Sequence, residues 1–259
     1  LVLLGDSVYI DVPAKPDSSG HAHPSHSDYN DDDFAVHLRD LYAAQLAIPE
    51  FSLLLKQLKG QVYAVWDDHD FLWNNAGGKE ARRVVHKGQA IFSANLFRCW
   101  RKALTQGGAG FPASTKDASV SKGYVPPLRS IRVDNFAPGY VSQLLNGGRV
   151  VLHLPDGRSW RQGSDLIGTQ QRQQMAAVLA QYPDALHILA SGSTLQGHGR
   201  ESWSGHATDF QWLQDQASQY NLLVISGDIH KNTLPDPMPC GGKFLHEATA
   251  SGAAVNFNP

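Results

Sequence analysis

Three short apolar runs in this chain are each followed directly by acidic side chains, in two cases with an imidazole beside them. Short unbroken runs rich in β-branched residues are typical of strands that are covered on both faces. In open α/β sheets, ligands collect at the carboxyl ends of such strands. The pattern therefore predicts three strands that end at one shared metal site. The runs and the residues after them are Leu1–Leu4 before Gly5-Asp6, Val62–Trp66 before Asp67–Asp70, and Leu222–Ile225 before Ser226–His230.

The side chains at these strand ends suit a pair of metal ions. A hydrolytic pair needs one carboxylate that bridges both ions and further ligands for each ion. We interpret Asp6 as the bridging carboxylate, with Asp68 and Asp228 as hard oxygen ligands. His230 offers an imidazole and Tyr9 a phenolate to a transition metal.

His69 follows Asp68 directly, and we interpret it as a catalytic residue placed to meet a leaving-group oxygen. Each strand-end motif alone is equally well explained by a turn that satisfies its own backbone. The run Asp67–Asp70 is harder to explain in that way, because its three acids repel one another unless cations or hydrogen bonds compensate.

Helical patterns separate the first two strands. They run from Asp31 to Gln45 and from Pro49 to Gly60. A strand, a helical crossover and a second strand form a βαβ-like unit with parallel strands, whose ends meet at one edge of a sheet. We therefore expect Asp6 and Asp68 to be neighbours. A longer helical pattern covers Gly78–Trp100.

The second half of the chain alternates further strands and helices, which predicts a second sheet. Thr169 is the expected cap of the helix that it begins. The predicted elements are strands at Arg129–Phe136, Arg149–Leu154, His187–Ala190 and Phe244–Ala250, and helices at Thr169–Tyr182 and from after His206 through Tyr220.

Other polar clusters have plainer explanations. His21, His23 and His26 lie among Pro, Ser and Gly, which favours a solvated loop over an accessory site. Ser191 and Ser193 follow a strand and are candidate active-site hydroxyls, but the chain contains no GxSxG nucleophile motif. Where Asp156 precedes Arg158, a simple ion pair is the favoured interpretation.

Composition excludes several classes of protein. The formal net charge is −2 and 42% of the residues are hydrophobic, without the Lys/Arg excess of a dedicated nucleic-acid binder. No apolar run approaches the ~20 residues of a membrane span. Cys99 lies in a helical pattern and is expected to be buried, whereas Cys240 lies among Pro and Gly and is expected to be exposed. Whether the two pair stays open.

The chain opens at Leu1, already inside a predicted strand. We expect residues 1–259 to form a single domain that continues beyond both ends of this sequence.

The strand-end motifs resemble those of the PhoD-like alkaline phosphatases, a family of the calcineurin-like metallophosphoesterase superfamily. Their order along the chain fits that family, and later stretches are similar to its landmarks. The matching stretches are Gly5–Tyr9, Trp66–Asp70, Ser226–His230, Gly168–Gln171, Glu201–Trp203 and His246–Thr249.

The resemblance implies a two-sheet α/β sandwich flanked by helices, and hydrolysis of phosphate monoesters or diesters by a metal-bound hydroxide. It implies a binuclear site of iron and calcium, in which Asp6 bridges, Tyr9 and His230 hold iron, and Asp68 and Asp228 hold calcium. The family's first strand brings a further ligand, and this chain begins after that point. The resemblance also favours a secreted or periplasmic location.

Two alternatives stay open at this point. The chain could be a non-catalytic domain that keeps the fold and binds phosphate or a partner, or an enzyme for the phosphodiester of a lipid or nucleotide. Metal content distinguishes the first alternative, because converging carboxylates without a cation are costly. The substrate would be selected by two loops, Thr105–Pro127 and Gln196–His206.

Overall fold

The computed structural model describes residues 1–11, 29–81, 86–116, 139–197 and 199–251. Backbone contacts divide the chain into two compact units, Leu1–Pro138 and Gly139–Pro259. The histidine-rich loop with His21, His23 and His26, and the strand predicted at Arg129–Phe136, lie outside the described residues.

The first unit contains the predicted βαβ unit. Strand β1 (Val2–Leu4) pairs in parallel with strand β2 (Tyr63–Val65). Helices α1 (Asp31–Ala47) and α2 (Pro49–Gln57) form the crossover between them. Both strands therefore end at the same edge, as the sequence predicts.

Helix α1 begins with a local cap. The side chain of Asn30 accepts a hydrogen bond from the amide of Asp33 at 2.9 Å, and acids occupy the first turn. Negative charge at this end of a helix interacts favourably with its dipole. The apolar face of α1 packs into the core of the unit through Phe34, Leu38 and Tyr42, which are fully buried.

The described part of the first unit contains three further helices: α3 (Asp68–Phe71), α4 (Gly78–Ala81) and α5 (Lys87–Thr105). The single helix predicted at Gly78–Trp100 is therefore wrong in its bounds. The pattern belongs to α4 and α5, and α5 continues past Trp100 because Leu104, one turn further on the same face, is also buried in the core.

The second unit contains a seven-stranded sheet in the order β3-β4-β5-β6-β9-β7, with β8 paired to β9. Strands β4, β5, β6 and β9 are parallel, and β3, β7 and β8 are antiparallel to their neighbours. The bounds are β3 Val141–Leu145, β4 Val150–Leu154, β5 Leu186–Ser191, β6 Asn221–Ser226, β7 Asn232–Thr233, β8 Met238–Cys240 and β9 Lys243–Ala250.

Helices α6 (Gly168–Gln181) and α7 (Ala207–Gln219) contribute to the core of this unit. Met175 and Leu213, one from each helix, belong to the same buried cluster as Val224 of β6. The predicted second sheet and the α/β fold class are thus confirmed. No helix in the described part of the chain is long and apolar enough to span a membrane.

Both cysteines are free thiols, and the expectation about their exposure is wrong. Cys240 is buried because β8 places it in the core beside α7, whereas Cys99 on α5 is only partly buried. Pro239 lies within β8, and Gly241 and Gly242 form the turn to β9, so these residues do not expose the thiol.

Candidate metal centre

The chain leaves β1 through a backbone conformation that only glycine adopts readily. Gly5 has a φ of +94°, and a Cβ atom at this position would lie 2.5 Å from the Cβ of Asp67. A side chain there would clash with the residue that follows β2. The close approach brings the loop after β1 against the loop after β2.

Three of the predicted site residues meet at this edge of the first unit. Asp6, Asp68 and His69 each offer a ligand atom, and these atoms all lie within 4.8 Å of one another. Tyr9 lies beside them, because its hydroxyl donates to Oδ2 of Asp6 at 3.3 Å and its ring centroid lies 4.3 Å from that of His69. The two carboxylates lie close enough together to suit a divalent or trivalent metal ion, and the imidazole of His69 lies beside them.

Asp68 is buried and is oriented by backbone amides. The amide of His69 donates to its Oδ1 at 3.1 Å, and the amide of Asn75 donates to its Oδ2 at 2.6 Å. Asn75 has a φ of 64°, in the left-handed region that asparagine tolerates better than most residues. The sequence analysis assigned no role to Asn75. Its backbone amide helps to orient the carboxylate of Asp68.

Asp70 positions the loop that carries Asp6, a role that the sequence analysis missed. Its Oδ1 accepts hydrogen bonds from the amides of Ser7 and Val8 at 3.0 and 3.2 Å and from the hydroxyl of Tyr42 at 3.2 Å. These partners lie far from Asp70 in sequence, so no local motif indicates the contact. Asp70 nevertheless lies within the acidic run Asp67–Asp70 that the sequence analysis identified.

Asp11 is a second missed residue. Its Oδ1 lies 2.5 Å from Nδ1 of His69, and its Oδ2 accepts the amide of Asn74 at 2.8 Å. A carboxylate on one ring nitrogen fixes the tautomer and the orientation of a histidine, which leaves Nε2 for another partner. The side chains of His69 and Asp11 are 14% and 9% exposed.

The pKa shifts in this cluster follow from burial and from nearby carboxylates. Burial and the charge of Asp6 raise the pKa of the Tyr9 phenol. Burial raises the pKa of Asp70 to about 7, although its amide partners oppose the shift. Burial acts to lower the pKa of His69, but the bond to Asp11 and the charge of Asp68 outweigh it and raise that pKa.

Asp11 shows the opposite balance. Burial acts to raise its pKa, but the hydrogen bonds from His69 and from the Asn74 amide lower it overall. The Asp11–His69 pair therefore favours a carboxylate next to a protonated imidazole. Such a pair can deliver a proton from Nε2.

The remaining predicted ligands lie in the second unit. Asp228 and His230 follow the end of β6, with Asp228 half-buried and His230 exposed. The amide of His230 donates to the hydroxyl of Ser251 at 2.9 Å.

Predicted ligands are frequent among the strained residues of the chain. In the described residues, six non-glycine residues have a positive φ. Such conformations cost of order 1–3 kcal/mol and concentrate at functional sites. Three of the six are the predicted metal ligands Asp6, Asp228 and His230. The other three are Lys59, Asn75 and Asn146.

A polar network in the second unit accounts for several other candidates. Arg158 and Arg161 both bond Oε2 of Glu201, at 2.7 and 2.6 Å, and Arg161 also donates to the hydroxyl of Ser193 at 2.5 Å. The hydroxyl of Ser191 accepts the indole N–H of a buried Trp and donates to the carbonyl of Ser193. Both serines thus have structural partners, and the carboxylate that pairs with Arg158 belongs to Glu201.

The two predicted selectivity loops are described only in part. Residues 117–127 of the first loop and His198 of the second lie outside the described residues. In the second loop, His206 is buried, and its Nε2 lies 2.9 Å from the carbonyl of Arg200. This contact joins the imidazole of His206 to the backbone of the same loop and so stabilises the loop's conformation.

Comparisons with known proteins point to one fold. No protein-family model matches the chain, and no curated protein matches it. The solved structure of PhoD matches with a TM-score of 0.60 and 16% sequence identity, over 96% of this chain and 50% of the PhoD chain. The chain thus has the fold of PhoD over half of that protein's length.

Proposed function

We propose that this chain is a metal-dependent phosphoesterase that hydrolyses phosphate monoesters or diesters. The observation that carries the proposal is the meeting of Asp6, Asp68 and His69 within 4.8 Å at the end of two parallel strands. The similarity of the fold to PhoD supports it.

The donor set fits metal ions of the kind that such enzymes use. Asp6 and Asp68 offer hard carboxylate oxygens, and the phenol of Tyr9 already bonds the Asp6 carboxylate. We infer that Asp6 would be a ligand shared by two ions, that Asp68 and Asp228 would hold calcium, and that Tyr9 and His230 would hold iron. The motifs Gly5–Tyr9 and Ser226–His230 support the assignments of Tyr9, Asp228 and His230.

Two bound ions would polarise the phosphoryl oxygens and offset their charge during an in-line displacement. The chain supplies the acid. His69 is held by Asp11 through Nδ1, so Nε2 is the nitrogen that donates a proton to the leaving oxygen. The raised pKa of His69 favours the protonated form of the ring.

The test is hydrolysis of p-nitrophenyl phosphate and of bis(p-nitrophenyl) phosphate, with and without added iron and calcium. We expect turnover that requires metal and falls by a factor of about 10²–10⁴ when His69→Gln removes the acid. Asp6→Asn is expected to abolish it. Asp40→Asn is the matched control, because Asp40 is an acid on the exposed surface of α1, with 55% of its side chain accessible.

Protein that binds no metal and hydrolyses neither ester would contradict the proposal. The fold would then serve the other function considered, that of a non-catalytic domain that binds phosphate or a partner. Equal turnover in Asp6→Asn and Asp40→Asn would show that any activity arises elsewhere.

A further inference from the structure

A cavity of about 120 Å³ lies in the second unit, lined by residues of β9 and of the segments that follow β5 and β6. The proposed phosphoesterase mechanism assigns no role to any residue of its walls. The cavity is therefore a candidate site for a second ligand.

The alternation of side chains along β9 places the carboxyl group of Glu247 on the cavity side of the sheet. Leu245, Glu247 and Thr249 point to one face of the strand, and all three line the cavity. Val224, the register partner of Glu247 on β6, belongs with Leu245 to the core cluster of this face. Met238, the register partner of Leu245 on β8, also lines the cavity.

One oxygen of the Glu247 carboxylate has its full set of partners, and the other has none. Oε1 accepts the amide of Leu195 at 2.8 Å and the hydroxyl of Ser226 at 2.7 Å. Within the part of the chain that the structure describes, no group donates to Oε2, although Glu247 is only 8% exposed. A nearly buried carboxylate oxygen without a donor costs free energy, and a donor that enters the cavity would offset this cost. Oε2 is thus the atom left for a ligand.

The charges of the walls favour a cation. All eleven lining residues are described, and none of them is Lys, Arg or His. The charged residues among them are Glu247 and the exposed Asp236. An anion in this cavity would meet like charge, whereas a cation would meet a charged acceptor.

The apolar part of the walls favours an organic cation over a metal ion. Leu195, Met238 and Leu245 contribute alkyl and thioether groups, whereas a calcium ion takes roughly six to eight oxygen ligands. The clusters of acids and histidines that suit a metal ion in the described residues do not include Glu247.

The size of the cavity limits the cation to a small one. At ~30 Å³ for each atom of the size of a water molecule, 120 Å³ holds about four non-hydrogen atoms. An ammonium group with a chain of two or three carbons has this size.

We propose that this cavity binds a small alkylammonium ion, whose N–H groups donate to Oε2 of Glu247 and whose alkyl chain packs against Leu195 and Met238. The proposal does not depend on the phosphoesterase function. Ile229 nevertheless lines the cavity between the predicted ligands Asp228 and His230, so the bound ion would lie close to the end of β6.

The test is an NMR titration of the ¹⁵N-labelled full chain with propylammonium chloride at constant ionic strength. The amide resonance of Leu195 is the reporter, because this amide donates to the carboxylate of Glu247. We expect a saturable shift of this resonance. 1-Propanol and propionate, which have a neutral and a negative head group on a chain of similar size, are expected to bind at least about tenfold more weakly.

The variant Glu247→Gln removes the charge with little change of shape. Its amide oxygen can still accept from Leu195 and Ser226, but an NH₂ group takes the place of Oε2, so we expect propylammonium to bind about tenfold or more weakly. Asp184→Asn is the matched control, because Asp184 is an exposed acid of the same unit and does not line the cavity. Circular dichroism checks the fold of both variants. If Glu247→Gln does not fold, the ligand series on the wild type decides alone.

The proposal is overturned by a shift that does not saturate, by propionate or 1-propanol binding as tightly as propylammonium, or by equal binding in Glu247→Gln and Asp184→Asn. Equally tight binding of the much larger tetrapropylammonium ion would overturn the assignment to this cavity. A preference for calcium over propylammonium at the Leu195 amide would overturn the assignment of an organic cation.

Discussion

In each unit a buried carboxylate binds a run of backbone amides from a distant segment, but the two carboxylates have different further partners. In the first unit, Asp70 accepts the amides of Ser7 and Val8 in the loop after β1. In the second unit, Oδ2 of Asp209 accepts the amides of residues 166–168 at the start of α6.

The further partners decide how the charge is balanced. Asp209 bonds the guanidinium of Arg172, so this unit supplies its own countercharge. Asp70 instead bonds the neutral hydroxyl of Tyr42, and burial raises its pKa to about 7. Near Asp70, the ligand atoms of Asp6 and Asp68 also converge. The first cluster would therefore gain from a cation taken from solution, whereas the second is complete as a structural clamp.

The largest expected effect on stability comes from removing the charge of Asp209. Asp209→Asn leaves the guanidinium of Arg172 without its buried partner, and we expect the free energy of unfolding to fall by about 3–5 kcal/mol. Urea denaturation measures it. In this variant Arg172 keeps only its ion pair with the more exposed Asp165. Because Arg172→Gln removes the guanidinium that has lost its buried partner, the double variant is expected to recover part of the loss. A double variant that is no more stable than Asp209→Asn would show that the ion pair is not the cause.

The variant Asp70→Asn tests, through the pH dependence of stability, whether burial raises the pKa of Asp70. The pKa of Asp70 is raised in the folded state, so the folded protein binds more protons than the unfolded chain between about pH 4 and pH 7. In chelator-treated protein, the wild type should lose stability relative to the variant as pH rises through this window, by on the order of a few kcal/mol. Parallel stability curves for the two proteins would contradict the raised pKa.

Asp11→Asn tests whether the carboxylate orients His69. We expect the pKa of His69 to fall, since the bond to Asp11 raises it. Histidine resonances followed by NMR against pH measure this shift directly. If the phosphoesterase proposal holds, turnover should fall about 10–100-fold, the usual effect of losing the partner of a site histidine. An unchanged pKa would show that Asp11 does not position the ring.

The smallest expected effect concerns the start of α1, which is capped locally rather than from a distance. Asn30→Ala removes the acceptor for the amide of Asp33 and should cost about 1 kcal/mol. Thermal denaturation of the variant beside Asp209→Asn compares a local cap with a distant one. A cost above that of Asp209→Asn would reverse the comparison.

The contrast between local patterns and contacts from distant segments explains what the sequence could predict. The helix beginning at Asp31 and the strands before Asp6 and Asp68 rest on local patterns, and the structure contains them. Thr169 was the wrong cap, because α6 begins at Gly168 and its first amides bind Asp209. The sequence around Asp209 gives no local sign of this contact with the start of α6.

The candidate site shows a similar division. Asp6 and His69 follow strands, and the crossover rule alone places them at one edge. The roles of Asp11 and Asp70 depend on contacts across about sixty residues of sequence, which residue spacing does not encode. The start of α5 after His86 was missed because the apolar stripe of the sequence continues on both sides of that residue.

The most direct test of the central claim is the metal content of the protein at the first-unit cluster. Purified chain would be loaded with iron and calcium, dialysed, and analysed by mass spectrometry beside Asp6→Asn, Asp68→Asn and the control Asp40→Asn. We predict stoichiometric metal in the wild type and in Asp40→Asn, and a loss in the two cluster variants. Equal metal content in all four proteins, or none in any of them, would contradict the claim that Asp6 and Asp68 hold a metal ion.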